Sequence, residues 1–408
     1  MYKILQEKMT SLKGEAVDFA RQLVQTGSQS LDETRVAGLV EAAMRAQGFY
    51  KVFQDDFGNV IGLVSGIRAS PTILLNCHMD TVAPSAEEAH TLSGKIENGR
   101  LYGLGAADCK GGLAAQVFAG ALLKRSLLPL KGNLIIAATT AEENGLSLGL
   151  RGLIEKTLPD LGLKPEFAIL GEPTELGLYY GHDGWMEMDV RVEGLNPFNV
   201  DDTVNAIVND LGKGYASNGE GGQRREMFKV SELDFRNRKG NRSASLRVAR
   251  RMEPEEEIGV VLGQIKESME KLAGSAGGQV AVEVMVRQEK QRLYTGKVAV
   301  VHHVARAWST DPFHPMIDRA RQALEAAGCL VKPGKWQLGR LGMGTAGSVL
   351  TNEFKIPTIG YGPGLETQSH ALGEWVEIDK LTAALYGSAV IAHSLVGIPV
   401  CGWTSDEI

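Results

Sequence analysis

The chain has 408 residues, 43% hydrophobic and 23% charged, a globular composition that excludes disordered and collagen-like chains. The net charge is −6, whereas proteins that bind nucleic acid or an anionic membrane surface usually carry a basic excess, so we expect neither partner. Four cysteines are too few for a disulfide framework, and no stretch resembles a signal peptide or a membrane span, so we expect a cytoplasmic protein with reduced thiols.

The chain begins with helical periodicity and then changes to alternating strands and helices. Apolar residues recur every three to four residues over 13–25 and 32–47, with Ser30 and Asp32 as predicted caps between these helices. Later helices are predicted over 110–124, 146–156, 316–327 and 380–395, and buried strands over 72–76, 133–139, 167–170 and 357–361. This alternation predicts an α/β fold, with a doubly wound, mainly parallel sheet covered by helices on both faces.

Residues 184–310 follow a different pattern. Apolar and charged side chains alternate over 186–193, which predicts a strand with one face in water. Helices are predicted over 203–211 and over 253–272, the latter opening with an acidic run, and further strands over 244–248 and 280–286. We therefore predict a small α+β domain at 184–310, inserted between two parts of a larger domain at 1–183 and 311–408.

Polar side chains with catalytic potential follow the predicted strands of the larger domain. They are His78 and Asp80 after the first strand, Glu142 and Glu143 after the second, Glu172 after the third and His370 after the last. Ligands bind beyond the carboxyl ends of the strands in open α/β sheets, so these side chains are predicted to form one metal site. Asp108 lies in a glycine-rich segment just before a helix, where its carboxylate can bridge two cations.

The residue types at this site indicate which metals it suits. Two imidazoles and three carboxylates favour zinc, manganese or cobalt over calcium or magnesium. Asp80 is predicted to accept the second imidazole N–H of His78 and so fix its tautomer. Only one of the adjacent glutamates Glu142 and Glu143 needs to bind metal, and the other is then placed to move a proton from water to the leaving amine.

Five motifs occur along the chain in a fixed order. They are His78-x-Asp80, Gly-x-x-Asp108-x-Lys110-Gly111-Gly112, Glu142-Glu143, Gly171-Glu172-Pro173-Thr174 and Gly362-Pro363-Gly364 followed by His370. In these motifs the chain resembles metallopeptidase family 20, which includes acetylornithine deacetylase, succinyl-diaminopimelate desuccinylase, aminoacylase and glutamate-releasing carboxypeptidases. The resemblance covers essentially the whole chain and implies a zinc-exopeptidase-like catalytic domain with an inserted ferredoxin-like lid.

The resemblance also implies a role for each site residue. Asp108 would bridge two metal ions, His78 and Glu172 would complete one ion site, and Glu143 and His370 would complete the other. Glu142 would be the general base and acid, with Asp80 behind the metal ligands. The implied cofactor is one or two divalent transition-metal ions per subunit, with zinc preferred over manganese or cobalt. The implied assembly is a homodimer or higher homo-oligomer formed through the inserted domain.

One family feature is missing from the inserted domain. Family members carry a histidine there, in a Gly-x-x-His pattern, which steadies the oxyanion of the reaction intermediate. This chain reads Gly194-Leu195-Asn196-Pro197-Phe198-Asn199 at that place. We expect a hydrolase that cleaves the C–N bond of a small carboxylate-bearing substrate, such as an N-acyl amino acid or a dipeptide. The missing histidine leaves a specialised amidohydrolase or amine-releasing deaminase as the alternative.

Two further residues are candidate substrate contacts. Arg251, on a later strand of the inserted domain, binds either a substrate carboxylate or an ordinary ion-pair partner. His182 lies where the inserted domain should begin, and it either faces the substrate or makes a structural hydrogen bond. Cys77 and Cys109 flank predicted metal ligands and are expected to be buried thiols.

Overall fold

The computed structural model describes residues 1–84, 93–144, 146–213, 215–216, 225–238, 241–254, 256–275, 280–329 and 340–398. The chain divides into two units. The first unit comprises Met1–His182, Gln291–Ala299 and Ser309–Ile408, and the second comprises Asp183–Lys290 and Val300–Trp308.

The helices and strands are numbered in chain order. The helices are α1 (Tyr2–Gln25), α2 (Thr34–Ala46), α3 (Gly111–Ser126), α4 (Leu148–Gly152), α5 (Leu158–Asp160), α6 (Pro197–Leu211), α7 (Ile258–Ser275), α8 (Pro315–Ala326) and α9 (Ile378–Val396). The strands are β1 (Lys51–Gln54), β2 (Val60–Val64), β3 (Thr72–His78), β4 (Lys95–Glu97), β5 (Arg100–Tyr102), β6 (Asn133–Thr139), β7 (Phe167–Leu170), β8 (Gly181–His182), β9 (Gly184–Gly194), β10 (Tyr215–Ala216), β11 (Arg225–Glu226), β12 (Phe228–Arg238), β13 (Asn241–Met252), β14 (Val280–Val286), β15 (Gln288–Arg292), β16 (Val298–His302), β17 (Val304–Ala305), β18 (Trp308–Ser309), β19 (Arg340–Leu341), β20 (Thr358–Gly360) and β21 (Trp375–Glu377).

The first unit is built on a sheet with the strand order β1-β2-β6-β3-β7-β20. The last four strands run parallel to one another, while β1 and β2 form an antiparallel edge. β3 is buried along its whole length, as its apolar sequence predicts for a central strand. The predicted α/β fold with a mainly parallel sheet is therefore confirmed.

Apolar side chains cover both faces of this sheet. On one face α1, α2, α3, α8 and α9 contribute to a large buried cluster. On the other face Leu150, Leu153, Leu158 and Leu350 pack with side chains from β2, β3, β6 and β7. α9 is buried almost all round, which is typical of a helix in a protein core. Within the described residues, no helix is both long and apolar enough to cross a lipid bilayer.

The second unit contains a sheet with the strand order β12-β13-β9-β14, in which neighbouring strands are antiparallel. On β9 the buried side chains are the alternating Met186, Met188, Val190 and Val192, and the side chains between them are charged and at least partly exposed. The buried residues of α6 and α7 join these four in a separate apolar cluster. Along the chain the principal elements follow the order β9, α6, β12, β13, α7, β14, a β-α-β-β-α-β arrangement.

Several local predictions differ from the structure. α1 begins at Tyr2 instead of residue 13, and α6 begins at Pro197 instead of residue 203. α7 begins at Ile258, so the acidic residues that were expected to open this helix lie before it. Glu256 instead accepts hydrogen bonds from the Arg250 guanidinium at 2.6 and 2.7 Å. This ion pair holds Glu256 outside the helix. The predicted caps Ser30 and Asp32 are also wrong, since α2 begins at Thr34 and no side chain caps it.

Candidate metal centre

The parallel strands bring the predicted site residues to one edge of the sheet. His78 is the last residue of β3, Glu142 and Glu143 follow β6, and Glu172 follows β7. These strands pair side by side in parallel, so their carboxyl ends lie at the same edge. The two segments that supply Asp108 and His370 approach the same edge from elsewhere in the first unit.

Glycines allow these segments to approach closely. A Cβ atom on Gly112, at the start of α3, would lie 1.9 Å from the Gly171 carbonyl oxygen, which is too close for any side chain. A Cβ atom on Gly362 would lie 2.3 Å from the carbonyl oxygen of Glu172. Gly112 and Gly362 therefore allow close backbone packing around the Glu172 turn.

The metal-binding atoms form two overlapping groups, and Asp108 belongs to both. In one group, ligand atoms of His78, Asp108, Cys109 and Glu172 all lie within 4.8 Å of one another. In the other, ligand atoms of Asp108, Glu143 and His370 do so. Asp108 Oδ1 lies 3.1 Å from His78 Nε2, and Asp108 Oδ2 lies 3.6 Å from His370 Nε2. Each oxygen of the Asp108 carboxylate thus faces a different histidine.

The electrostatics of this site favour a bound cation. Asp108 Oδ2 is buried and has no hydrogen-bond partner within the described part of the chain, an arrangement that costs free energy for a carboxylate oxygen. Burial and neighbouring carboxylates hold the pKa of Glu172 at about 8 and the pKa of Glu142 well above its usual range. Crowded, buried carboxylates are stabilised as anions when a cation lies among them. The nitrogen and oxygen donors suit a divalent transition metal, so the residues fit the implied group.

His370 is the exposed member of the site. Its Nε2 atom lies 2.8 Å from Glu143 Oε1, and this contact raises the pKa of His370 to about 9. The side chain of His370 is 44% exposed, whereas His78 and Asp108 are buried. A small molecule can therefore reach the site from the His370 side, and a cation that binds there has to release the imidazole proton.

Asp80 makes contacts that differ from the predicted one. His78 Nδ1 lies 2.8 Å from the Asp80 backbone carbonyl oxygen and 3.7 Å from its carboxylate, so the backbone accepts the imidazole N–H. The Asp80 carboxylate accepts the backbone N–H groups of Glu142 at 3.1 Å and Glu143 at 3.0 Å. The Ser30 hydroxyl donates to the same carboxylate. Asp80 thus orients the two adjacent glutamates.

The adjacent glutamates occupy different positions. Glu143 belongs to the second group of metal-binding atoms, and Glu142 belongs to neither group. Glu142 Oε1 accepts a hydrogen bond from the Ser147 hydroxyl at 3.4 Å. The structure therefore places Glu143 beside His370 and leaves Glu142 outside both groups of ligand atoms.

Sequence reasoning missed three buried groups around the site. Glu374, four residues after His370, accepts hydrogen bonds from backbone amides of the segment that carries Asp108. Glu33 accepts the backbone N–H of Ala141 at 3.0 Å, just before the paired glutamates. Lys110 is fully buried and donates from Nζ to the Thr26 carbonyl at 2.8 Å, and its burial lowers its pKa to about 8. Lys110 lies in a site motif and Glu374 lies close to one, whereas Glu33 lies far from any motif in the sequence, and the sequence does not show the partner of any of the three.

The candidate substrate contacts and the cysteines have structural partners. His182 is fully buried, and its Nε2 accepts the backbone N–H of Thr345 at 3.0 Å. In the second unit, Arg251 donates to the Asp183 carboxylate at 3.0 Å. Cys77 and Cys109 are buried free thiols, as expected, and burial holds the pKa of Cys109 well above its usual range.

The missing histidine corresponds to the start of α6. Asn196 caps this helix by accepting the backbone N–H of Phe198 at 3.0 Å, and Pro197 occupies its first turn. The Phe198 side chain is 79% exposed. The exposed apolar side chain of Phe198 therefore lies close to the position at which the family pattern has an imidazole.

Comparison with known proteins identifies a family and a close set of relatives. The sequence profile of Peptidase family M20/M25/M40 matches residues 74–394. The chain is 26% identical to the uncharacterised protein YgeY of Escherichia coli over 405 residues, which cover 95% of this chain and 96% of YgeY. It is 30% identical to succinyl-diaminopimelate desuccinylase of Gluconacetobacter diazotrophicus over 225 residues, which cover 50% of this chain and 57% of that protein.

A solved structure with the same fold is the dipeptidase Dug1p of Saccharomyces cerevisiae. It superposes with a TM-score of 0.73 at 14% sequence identity, over 97% of this chain and 98% of that chain. The family profile extends over most of the chain and includes every residue of both groups of metal-binding atoms. The chain therefore belongs to Peptidase family M20/M25/M40 and is a metal-dependent hydrolase of that family.

Proposed function

We propose that the protein hydrolyses the C–N amide bond of a small carboxylate-bearing molecule, such as an N-acyl amino acid or a dipeptide. The observation that carries this proposal is the shared Asp108 carboxylate between two groups of metal-binding atoms, with Glu142 beside them. Family membership supports the same reaction class, and two similar proteins are named as a desuccinylase and a dipeptidase.

In this proposal His78 and Glu172 hold one ion, Glu143 and His370 hold a second, and Asp108 contributes to both sites. Zinc is the preferred ion, with manganese and cobalt as alternatives, because the donors are imidazole nitrogens and carboxylate oxygens. When bound, such ions polarise a carbonyl group and lower the pKa of water. The shared ligand supports two ions rather than one in each subunit.

Glu142 is the proposed general base and acid. Its carboxylate accepts a proton from the attacking water and then donates that proton to the nitrogen of the leaving amine. Burial raises the pKa of Glu142, which makes its carboxylate a stronger proton acceptor than that of an exposed glutamate. Asp80 fixes the position of Glu142 by accepting its backbone N–H.

The first test is Glu142→Gln, which keeps the size of the side chain and removes the proton acceptor. We expect kcat to fall by ~10²–10⁴-fold, because general acid–base catalysis contributes about that factor. Metal content, measured by elemental analysis of the purified protein, is expected to stay unchanged. Glu353→Gln is the matched control, because Glu353 pairs with Arg151 at the surface of the first unit.

The outcomes of this test are distinct. Full activity in Glu142→Gln would remove Glu142 from the mechanism. Loss of bound metal together with activity would make Glu142 a metal ligand instead. A wild-type protein that binds zinc, manganese or cobalt but hydrolyses none of a panel of N-acyl amino acids and dipeptides would contradict the proposed substrate class.

A second candidate function is a specialised amidohydrolase or an amine-releasing deaminase. The observation that favours it is the start of α6, where Asn196-Pro197-Phe198 replaces the family histidine. Without that oxyanion donor, ordinary acyl transfer would lose ~10²–10³-fold in rate. Mass spectrometry of the products distinguishes deamination from amide hydrolysis, since deamination releases ammonia without forming a new carboxylic acid.

A further inference from the structure

Glu374 is a buried carboxylate close to the proposed metal ligands, and the proposed mechanism gives it no role. It lies four residues after His370 and is 2% exposed. Glu374 Oε1 accepts the backbone N–H groups of Ala107 at 2.7 Å and Asp108 at 2.9 Å, and Oε2 accepts the N–H of Gly105 at 2.8 Å. Its carbonyl oxygen accepts the N–H of Gly103 at 2.9 Å. One residue thus binds four amides of the Asp108 loop, residues 103–108.

The Asp108 loop needs such a partner because it is not a regular helix. Asp108 has φ −124° and ψ 95°, and Cys109 has φ −130° and ψ 34°, so neither has helical backbone angles. Regular helical hydrogen bonds therefore do not hold the backbone at Asp108. Hydrogen bonds from N–H groups to a carboxylate are about twice as strong as those between neutral groups. The Glu374 carboxylate accepts three such bonds, from the backbone N–H groups of Gly105, Ala107 and Asp108.

The chain around Glu374 couples two ligands of the site. A short turn connects His370 to Glu374, in which the Glu374 N–H donates to the Ala371 carbonyl at 3.1 Å. Gly373 has a φ of +74°, a left-handed conformation that favours glycine and turns the chain into Glu374. The same short segment therefore carries one candidate metal ligand and binds the loop that carries another.

We propose that Glu374 is a positioning residue, whose carboxylate holds the Asp108 loop against the segment 370–374 and so keeps the shared ligand in place for both ions. The inference rests on the metal sites of the proposed function. It assigns to Glu374 no contact with substrate and no proton transfer. Because Asp108 belongs to both groups of metal-binding atoms, a displaced Asp108 loop weakens both ion sites together.

The test compares Glu374→Gln with Glu377→Gln in the full chain. Glutamine keeps the size of the side chain, but its amide nitrogen cannot accept a backbone N–H, so at least one bond to the loop is lost. Glu377 is the matched control, because it lies three residues away and pairs with Arg100 and Lys380 instead of the Asp108 loop. Zinc or manganese is titrated into chelator-treated protein by calorimetry, a measurement that does not depend on catalysis.

We expect Glu374→Gln to bind the metal ~10–100-fold more weakly than wild type, as is typical when a group supporting a ligand is removed. In the metal-free proteins, we expect hydrogen exchange at Gly105, Ala107 and Asp108 to become about tenfold faster, with exchange in α3 unchanged. Glu377→Gln should match wild type in both measurements. Wild-type metal affinity in Glu374→Gln, or weaker metal binding without faster exchange in the loop, would overturn the proposal.

A second variant covers a failure of Glu374→Gln to fold. Gly373→Ala keeps the carboxylate but strains the backbone that places it, so intermediate losses of metal affinity and loop protection are expected. An unaffected Gly373→Ala protein would then overturn the proposal. If wild-type protein binds no transition metal, the proposed function fails, and the exchange measurement on the metal-free proteins still decides whether Glu374 holds the loop.

Discussion

Asp80 shows how a single side chain organises this site. Its carboxylate accepts the backbone N–H groups of Glu142 and Glu143, and its backbone carbonyl accepts the imidazole Nδ1–H of His78. The Ser30 hydroxyl donates to the carboxylate as well. Asp80 itself contacts neither substrate nor metal ion. It can thereby orient His78, Glu142 and Glu143, which contact the substrate or a metal ion in the proposed function.

This arrangement predicts a large effect for Asp80→Asn. The amide nitrogen of asparagine would face a backbone N–H, and hydrogen bonds to charged groups are worth about 1.5–3 kcal/mol each. We expect the free energy of unfolding of the metal-free protein to fall by roughly 2 kcal/mol, and kcat to fall at least ~10-fold. Urea unfolding and steady-state kinetics measure the two quantities.

Ser30→Ala is the graded control for Asp80→Asn. It removes one of the hydrogen bonds to the Asp80 carboxylate and leaves the bonds from both backbone amides in place. We therefore expect the free energy of unfolding to fall by only about 1 kcal/mol. An Asp80→Asn protein that is as stable and as active as Ser30→Ala would show that Asp80 does not orient the paired glutamates.

At the scale of elements, α9 shows how burying a titratable group in a core helix makes the free energy of unfolding depend on pH. His393 is 3% exposed, and its Nε2 atom has no hydrogen-bond partner among the residues that the structure describes. Burial, with a smaller contribution from the amino terminus, lowers the pKa of His393 to about 4. The unfolded chain has a histidine pKa near ~6.5, so it binds more protons than the folded protein between these two values.

The contribution of His393 to the free energy of unfolding is therefore expected to fall as the pH drops from about 6.5 toward 4. Between pH 7.5 and pH 5.0, we expect His393 to account for a loss of about 2 kcal/mol in the free energy of unfolding, calculated from its two pKa values. His393→Asn should lack this His393 contribution to the pH dependence of the free energy of unfolding. His302→Asn should keep it, because His302 is exposed. Urea unfolding of chelator-treated proteins at both pH values checks this, and identical pH dependence in the two variants would contradict it.

At the scale of the whole molecule, bound metal and stability are expected to be linked. The first unit holds Glu142, Glu143 and Glu172 together at one sheet edge beside Asp108, where burial and mutual repulsion oppose the charged forms of the three glutamates. A ligand that binds only the folded state at a thousand times its Kd stabilises that state by about 4 kcal/mol. Removing the metal should therefore lower the Tm by several degrees.

Thermal unfolding before and after chelation measures this effect. Zinc, manganese or cobalt should restore the Tm, and calcium should restore less of it, because calcium prefers ligand sets made of oxygen alone. A Tm that does not respond to chelation, or that calcium restores as fully as zinc, would contradict a transition-metal site. The His78→Ala variant, which lacks one ligand of the first group, should respond less than wild type.

The sequence by itself determined the strands and the candidate ligands of this protein. The strands over 133–139 and 167–170 have the predicted bounds, and β3 extends two residues beyond its prediction, so that His78 lies within the strand. These predictions succeed because burial on both faces imposes a continuous apolar run on a central strand. Parallel pairing then brings the residues after each strand to one edge, so the order of the motifs alone indicates where they meet.

Only the tertiary structure decided what holds those ligands in place. Ser30 reads locally as a helix cap, but its hydroxyl bonds to Asp80, 50 residues away. Glu374 and the amide of Asp108 are 266 residues apart, and no local pattern distinguishes this buried glutamate from an exposed one. The physical reason is that residue type and periodicity record whether a side chain faces the core, whereas the hydrogen-bond partners of a buried polar group depend on which distant segments pack beside it.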